Sequence, residues 1–238
     1  MSKKGEKKTA KALSAPKAVH ISRKHNTWTV RTKAGAYKRT DSVSIGIVLR
    51  DYIKLATTLK EAKKMLREGE VKINGVARKD YQYGVGLFDI ITIEKQEVSF
   101  RVLFDAKRRV IVSELKNKSN EKLSRVEYKR TTKKGVQITT NDGRTFINNK
   151  ASVGDTIQIK VPENKIEAVL VAKEGAIVYI TKGTHCAGTG KIKEIVPGSV
   201  NRKKLVKIEK DGKDFETTME SVFVVGDKDI VLGDLKNL

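Results

Sequence analysis

Two blocks of this chain hold almost all of its excess positive charge, and their placement limits what the chain can become. Residues 1–40 carry 12 Lys and Arg against one acid, and residues 101–165 carry 16 against 7. The stretch between them (10 against 9) and the remainder, 166–238 (12 against 11), are nearly balanced. In total 50 bases face 28 acids in 238 residues, a net charge of +22. Unneutralised charge of this size repels itself in a compact free protein, so a polyanionic partner is expected. Apolar residues make up 38%, enough for small cores, and the length suits one to three modest domains. A single cysteine, Cys186, excludes an internal disulfide and a CxxC zinc site. No apolar run approaches the ~20 residues of a membrane span, and no apolar stretch follows the lysine-rich start. The expectation is a soluble, reduced, cytoplasmic protein with no membrane partner.

The first segment, with Lys3, Lys4, Lys7, Lys8 and Lys11, has no apolar periodicity and reads as a basic arm, disordered over residues 1–13 when free. It could be a solubilising tail or a segment that orders on nucleic-acid phosphate. The near absence of acids favours the second. Pro16-Lys17 marks its end, and Val19–Arg31 reads as two short strands with Trp28 packed onto the next domain. His20 and His25 have no further ligand nearby, so no metal is expected there. Ile45, Val48, Leu49, Tyr52 and Leu55 fall at helical spacing. Thr58-Leu-Lys-Glu61 is a capping box that opens a second helix, and Gly69 is placed to end it.

At ~100° per residue, Lys60, Lys63, Lys64 and Arg67 form one stripe of that second helix, roughly opposite Leu59, Ala62, Met65 and Leu66. A merely solvated face usually mixes its signs, so the stripe is read as facing phosphate. Val71 to Lys79 then reads as a hairpin, because Asn74-Gly75 suits the positive φ values of a type I′ turn. It adds Lys72, Arg78 and Lys79 to the basic surface. Leu87–Ile93 is a further strand. From about 98 to 161 the pattern is all strand, at Val98–Phe104, Arg109–Ser113, Val136–Thr140, Thr145–Asn148 and Thr156–Val161. The stretch Lys116–Lys134 stands out for its basic residues, among them Arg125, Lys129, Arg130, Lys133 and Lys134. Residues 166–226 again read as short strands.

Familiar catalytic patterns fail one by one. Gly183 to Ile192 resembles a phosphate loop until its spacing is checked: Thr189 follows Gly188, and Ile192 follows Lys191. A dinucleotide fingerprint fails because Lys193 occupies the third glycine position. His185 and Cys186 are adjacent, a poor geometry for a nucleophile and its base. No Ser/His/Asp set, paired-carboxylate cleft or metal-ligand spacing stands out. Neither a catalytic residue nor a metal nor a cofactor is expected.

Thr58–Ile93, a capped basic helix followed by Val-Lys-Ile-Asn-Gly, resembles the S-four-type RNA-binding domain. Val178–Gly183 with Gly188-Thr-Gly190-Lys-Ile192 resembles the KOW motif, whose loop would use Gly183, Gly188 and Gly190. Their order, together with Ala15-Pro-Lys17, Leu49-Arg50-Asp51, Asp142-Gly-Arg144-Thr145, Val153–Ile159 and Val222–Gly226, is similar to the small-subunit ribosomal protein S-four-e family, in its archaeal form. Gly46 and Gly84 stand where that family's pattern suggests proline.

The resemblance implies an α+β, mostly β fold. It would comprise a basic N-terminal extension (1–41), a small RNA-binding domain of two helices plus a hairpin (42–96), a central β domain (97–165) and a KOW-type, SH3-like barrel (166–238). It also implies a structural, non-catalytic part of the small ribosomal subunit. Its partners would be small-subunit rRNA and neighbouring ribosomal proteins, with no small-molecule substrate and no homo-oligomer. The expected RNA contacts are the basic residues named above together with Arg144. One alternative is a KOW-containing transcription or translation regulatory factor, or a free RNA-binding protein; a regulatory factor would want an acidic or apolar partner domain. Another is an RNA-modifying enzyme such as a pseudouridine synthase, which needs Asp in a Gly-Arg-Leu-Asp context that Gly143-Arg-Thr-Phe146 lacks.

Overall fold

The structure, a computed structural model, describes residues 9–115, 120–133, 135–210, 212–227, 229–233 and 235. Lys3, Lys4, Lys7, Lys8 and Lys134 lie outside the described residues. The chain divides into two compact units: Met1–Leu103 with Arg109–Lys118, and Phe104–Arg108 with Ser119–Leu238. Among the described residues fifteen strands build three five-stranded sheets, and two-stranded ribbons complete the β structure. No described helix is long and apolar enough to cross a membrane.

In the first unit, Thr9–Lys11 pairs with Trp28–Val30. The arm expected to be disordered through residue 13 is therefore a strand from Thr9 and a 3-10 turn over Ala12–Ser14. The ribbon supplies backbone partners that the local sequence does not reveal. It replaces the two strands expected over Val19–Arg31 with one, and Trp28 is not packed away but 58% exposed. The Lys11 ammonium, directly across the ribbon, lies 5.7 Å from its ring centre.

The first expected helix is a short turn, Ile45–Ile47, that widens into a π-helical segment, Val48–Tyr52. Ile45, Val48 and Leu49 are buried as their spacing implied. The Gly46 N–H donates to Tyr81 O at 3.0 Å, a bond that proline could not make. Helix α1 (Leu59–Glu68) follows, and then sheet one in the order β2-β1-β3-β4-β5: β1 (Val71–Ile73), β2 (Val76–Ala77), β3 (Ile90–Ile93), β4 (Val98–Phe104) and β5 (Val110–Glu114). The strand expected at Leu87 starts at Ile90, because Phe88 takes a φ of 63°. The β3–β4 hairpin carries sheet one past residue 97, where a domain boundary was expected.

The second unit holds two antiparallel sheets. Sheet two runs β8-β7-β6-β9-β10, from β6 (Glu121–Thr132), β7 (Gly135–Thr140), β8 (Thr145–Ile147), β9 (Thr156–Lys160) and β10 (Lys165–Leu170). Val126, Ile138, Ala151, Ile157 and Ile159 form its core. Sheet three runs β14-β13-β12-β11-β15, from β11 (Ile177–Ile180), β12 (Thr189–Val196), β13 (Leu205–Lys210), β14 (Lys213–Thr218) and β15 (Val222–Gly226). Val178, Ile180, Ile192, Val206, Ile208 and Val224 lie at its centre.

Candidate nucleic-acid interface

Helix α1 starts where its capping box places it. Thr58 Oγ1 accepts from Glu61 N at 3.3 Å, and Glu61 Oε2 accepts from Thr58 N at 3.2 Å, so two orphan donors are satisfied reciprocally. Thr57 adds its hydroxyl and its N–H to the same carboxylate. These hydrogen bonds, the Thr57 hydroxyl foremost, hold the Glu61 carboxyl below the usual carboxylate range. Gly69, with φ 80°, ends the helix. One face of α1 buries Ala62 and Leu66, and the opposite face presents Lys60, Lys64 and Arg67 to solvent.

Lys63 is half-buried, with its ammonium 4.2 Å over the ring of Tyr81. Arg78 lies likewise 4.7 Å over Tyr83. An aromatic face attracts a cation without neutralising it, so both side chains keep their charge while losing freedom to wander. The residues that position these cations, Tyr81 and Tyr83, were missed in the sequence. Their one signal is the alternation Tyr-x-Tyr immediately after a basic hairpin.

That hairpin is pinned from inside. Asn74 and Gly75 take φ values of 51° and 73°, as a type I′ turn requires. The Asn74 amide donates to Asp89 Oδ1 at 2.7 Å, and its oxygen accepts from Ile90 N at 3.0 Å. Lys79 is exposed at the end of the hairpin, whereas Lys72 is ion-paired with Glu94. Most nearby acids are likewise engaged: Glu68 lies 3.9 Å from Lys64, and Glu70 pairs with Lys95. That pairing lowers the Glu70 carboxyl and raises the Lys95 ammonium. Of the stripe itself only Lys64 has an acid within reach, and that pair is exposed and long.

The second basic block behaves differently. The first half of β6 is covered on both faces, so Lys122 and Arg125, far from facing solvent, are buried. Lys122 Nζ lies 2.7 Å from Asp142 Oδ2, with both side chains 1% exposed. Burial pushes the Asp142 carboxyl up, but Lys122, Thr140 and Arg144 outweigh it and hold the group below its ordinary range. Arg125, expected to contact phosphate, instead donates to Glu220 O, to Val222 O at 3.4 Å and to Glu127 Oε1 at 3.1 Å. The ring of Phe223 lies 5.0 Å from its guanidinium carbon. Its fork joins sheet two to sheet three and is not offered to RNA. Arg144 is half-buried, held by Asp142 at 3.4 Å and by Asn164.

Beyond β6's midpoint the cations emerge: Lys129, Arg130 and Lys133 are exposed, Lys129 with one bond to Ala151 O at 3.0 Å. Lys11 and Lys17 are exposed in the first unit.

Gly190 is dictated by close approach, since a Cβ there would lie 2.5 Å from Ile208 Cγ2 and 2.8 Å from Glu209 O. Gly183 takes a φ of 93°, and Gly188 lies against the Lys210 side chain. The loop between them buries Cys186, whose thiol burial pushes up, and stacks His185 on Phe215 at 4.1 Å. Among the described residues no cluster of metal-ligating side chains occurs.

A capped helix with an outward basic stripe, joined to a basic hairpin and followed by antiparallel sheets, defines an RNA-binding protein of the S4-domain class. The S4 domain model matches residues 48–91, and the ribosomal family S4e model matches residues 91–166. The chain is 38% identical to small ribosomal subunit protein eS4 of Archaeoglobus fulgidus over 92% of its own length and 93% of that protein. It is 36% identical to small ribosomal subunit protein eS4 of Methanosphaera stadtmanae, over 97% and 98%. The crystal structure of the 30S ribosomal protein S4e from Thermoplasma acidophilum superposes with a TM-score of 0.68 at 30% identity, covering 78% of this chain and 95% of that one. The chain belongs to the ribosomal S4e family. It is a structural constituent of the small ribosomal subunit in the cytoplasm, not an enzyme.

Proposed function

We propose that the chain holds its place in the subunit by gripping small-subunit rRNA through phosphate contacts. The observation that carries this is the α1 stripe: Lys60, Lys64 and Arg67 exposed opposite a buried Ala62/Leu66 face, with Lys63 and Arg78 steadied on tyrosine rings. Lys79 extends the surface along the hairpin, and Lys72 joins it where phosphate competes with Glu94. Lys129, Arg130 and Lys133 supply a second contact region, and Lys11 and Lys17 a third. The basic residues 3–8 and Lys134 act with their neighbours in this reading. Residues 166–238 act as a KOW-type barrel whose Gly183, Gly188 and Gly190 shape a loop rather than touch RNA themselves. Neighbouring ribosomal proteins complete the surroundings, and the chain enters as a single copy.

Each phosphate neutralised contributes about −0.7 to −0.9 to the slope of log K against log salt, so roughly six contacts give a slope near −4 to −5. Titration of the full chain with deproteinised small-subunit rRNA at several salt concentrations measures it. A slope shallower than about −2 contradicts the proposal.

A further inference from the structure

Sheet two leaves one face of its β6–β7–β8 corner uncovered. Tyr128 stands opposite Thr139, which stands opposite Thr145, and Arg130 stands opposite Gln137, which stands opposite Ile147. Partners across antiparallel strands point to the same side, so these six side chains share one face. Ile138 and Val126, on the other side, belong to the core. Tyr128 would share Val126's side in a regular strand, two residues on. A bulge between them shifts the register, pairing Val126 with Thr140 but Tyr128 with Thr139. Bulges re-aim side chains in this way, and here one turns an aromatic ring out of the core to 69% exposure.

The chemistry of the face is specific. It carries no acid. Arg130 lies two residues beyond Tyr128 on the same side, and Thr139, Thr145 and Gln137 offer donors and acceptors between the ring and Ile147. Lys133 stands at the strand end, beside an open depression of about 490 Å³ that it lines with Thr132 and Ile147. We infer that this face is a stacking platform for an unpaired base of small-subunit rRNA. Tyr128 meets the base's π face, Arg130 its phosphate, and the Thr139 and Gln137 side chains its polar edge. Single-stranded RNA is read by such combinations of exposed ring, cation and edge-directed polar group. A protein partner would be better served by contiguous apolar residues, whereas Tyr128 and Ile147 are separated by polar side chains. Charge complementarity favours RNA: the face carries Arg130 and no acid, and the neighbouring Glu127 is taken up by Arg125 at 3.1 Å. The inference rests on the rRNA-binding reading above but adds a base contact to it.

The experiment uses the full chain, deproteinised small-subunit rRNA and the variants Tyr128→Ala, Tyr128→Phe and Arg130→Ser, with affinity, salt slope and base-specific chemical probing as readouts. Tyr128→Ala is expected to weaken binding about five-fold or more with an unchanged salt slope, because stacking releases no counterions. Tyr128→Phe keeps the ring and is expected to bind as the parent does. Arg130→Ser is expected to flatten the slope by about 0.7–0.9. One or more unpaired bases protected by the parent and by Tyr128→Phe should become reactive with Tyr128→Ala. If Tyr128→Ala matches the parent in affinity and in protected bases, the platform is refuted. If it matches them yet enters small subunits poorly, the face docks a protein and the inference is again overturned. A parent chain that binds rRNA without steep salt dependence would instead overturn the phosphate-grip reading, a result visible before any Tyr128 variant is compared.

Discussion

Helix α1 and the first half of β6 are both rich in cations, yet the fold puts them to opposite uses. On α1 the buried stripe is fully apolar at Ala62 and Leu66, so the cations are left on the outside. On β6 the residues from Lys122 to Val126 are buried in succession, covered on both faces, and two cations are carried inside with them. There the charge is met by structure: Lys122 by Asp142, Arg125 by two carbonyls and Glu127. Net charge alone therefore does not locate a polyanion-binding surface. What locates it is whether the fold carries the cation inside with a buried partner, as it does Lys122 and Arg125, or leaves it at the surface.

The comparison breaks most visibly at Asp142. Asp142→Asn leaves Lys122 buried without its counter-charge and is expected to destabilise the second unit by about 3–5 kcal/mol, read by chemical denaturation. Replacing both partners, as Lys122→Met with Asp142→Leu, should recover most of that loss. The pH dependence has a definite sign. Because the folded-state pKa of Asp142 lies below its ordinary value, its contribution is present above the unfolded-state pKa of about 3.9 and is lost as pH falls through the folded value. The gap between parent and Asp142→Asn should thus narrow in acid below about pH 4.

Arg125→Ser sharpens the contrast from the other side. It removes the buried guanidinium's bonds to Glu220 O, Val222 O and Glu127 and should cost about 1–3 kcal/mol of stability, while the folded protein binds rRNA as before. Normal stability with lost RNA binding would show that Arg125 belongs to the interface after all. The smallest effect concerns α1 itself: Thr58→Ala removes the cap and should cost about 1 kcal/mol, measured as a drop in thermal midpoint.

The parts of the fold legible in the sequence were those written locally. Thr58 and Glu61 are three residues apart and cap the helix; Asn74 and Gly75 are adjacent and turn the hairpin; Val98–Phe104 forms the strand its residues suggest. The α1 stripe needed only the helical period. The illegible parts depend on distant partners. β6 read as a basic stretch because Lys122 finds Asp142 twenty residues on and Arg125 finds Glu220 and Val222 almost a hundred residues on. Thr9–Lys11 read as an arm because its strand partner, Trp28–Val30, lies across an intervening loop. The π-helical segment at Val48–Tyr52 kept the expected residues buried, since widening a turn by one residue alters the spacing less than it alters the hydrogen bonds.

The central claim is that α1's exposed cations, and not its buried neighbours in charge, touch rRNA phosphate. The most direct test is the salt dependence of rRNA binding by the triple variant Lys60→Ser, Lys64→Ser, Arg67→Ser, compared with the unaltered chain. Surface substitutions of this kind shift stability by about ±0.5 kcal/mol each, so the variant should fold. The account predicts weaker binding without altered sequence preference and a slope flatter by about 2–3, three phosphates' worth. A variant that folds and binds with the parent's affinity and slope would show that the stripe is only a solvated face.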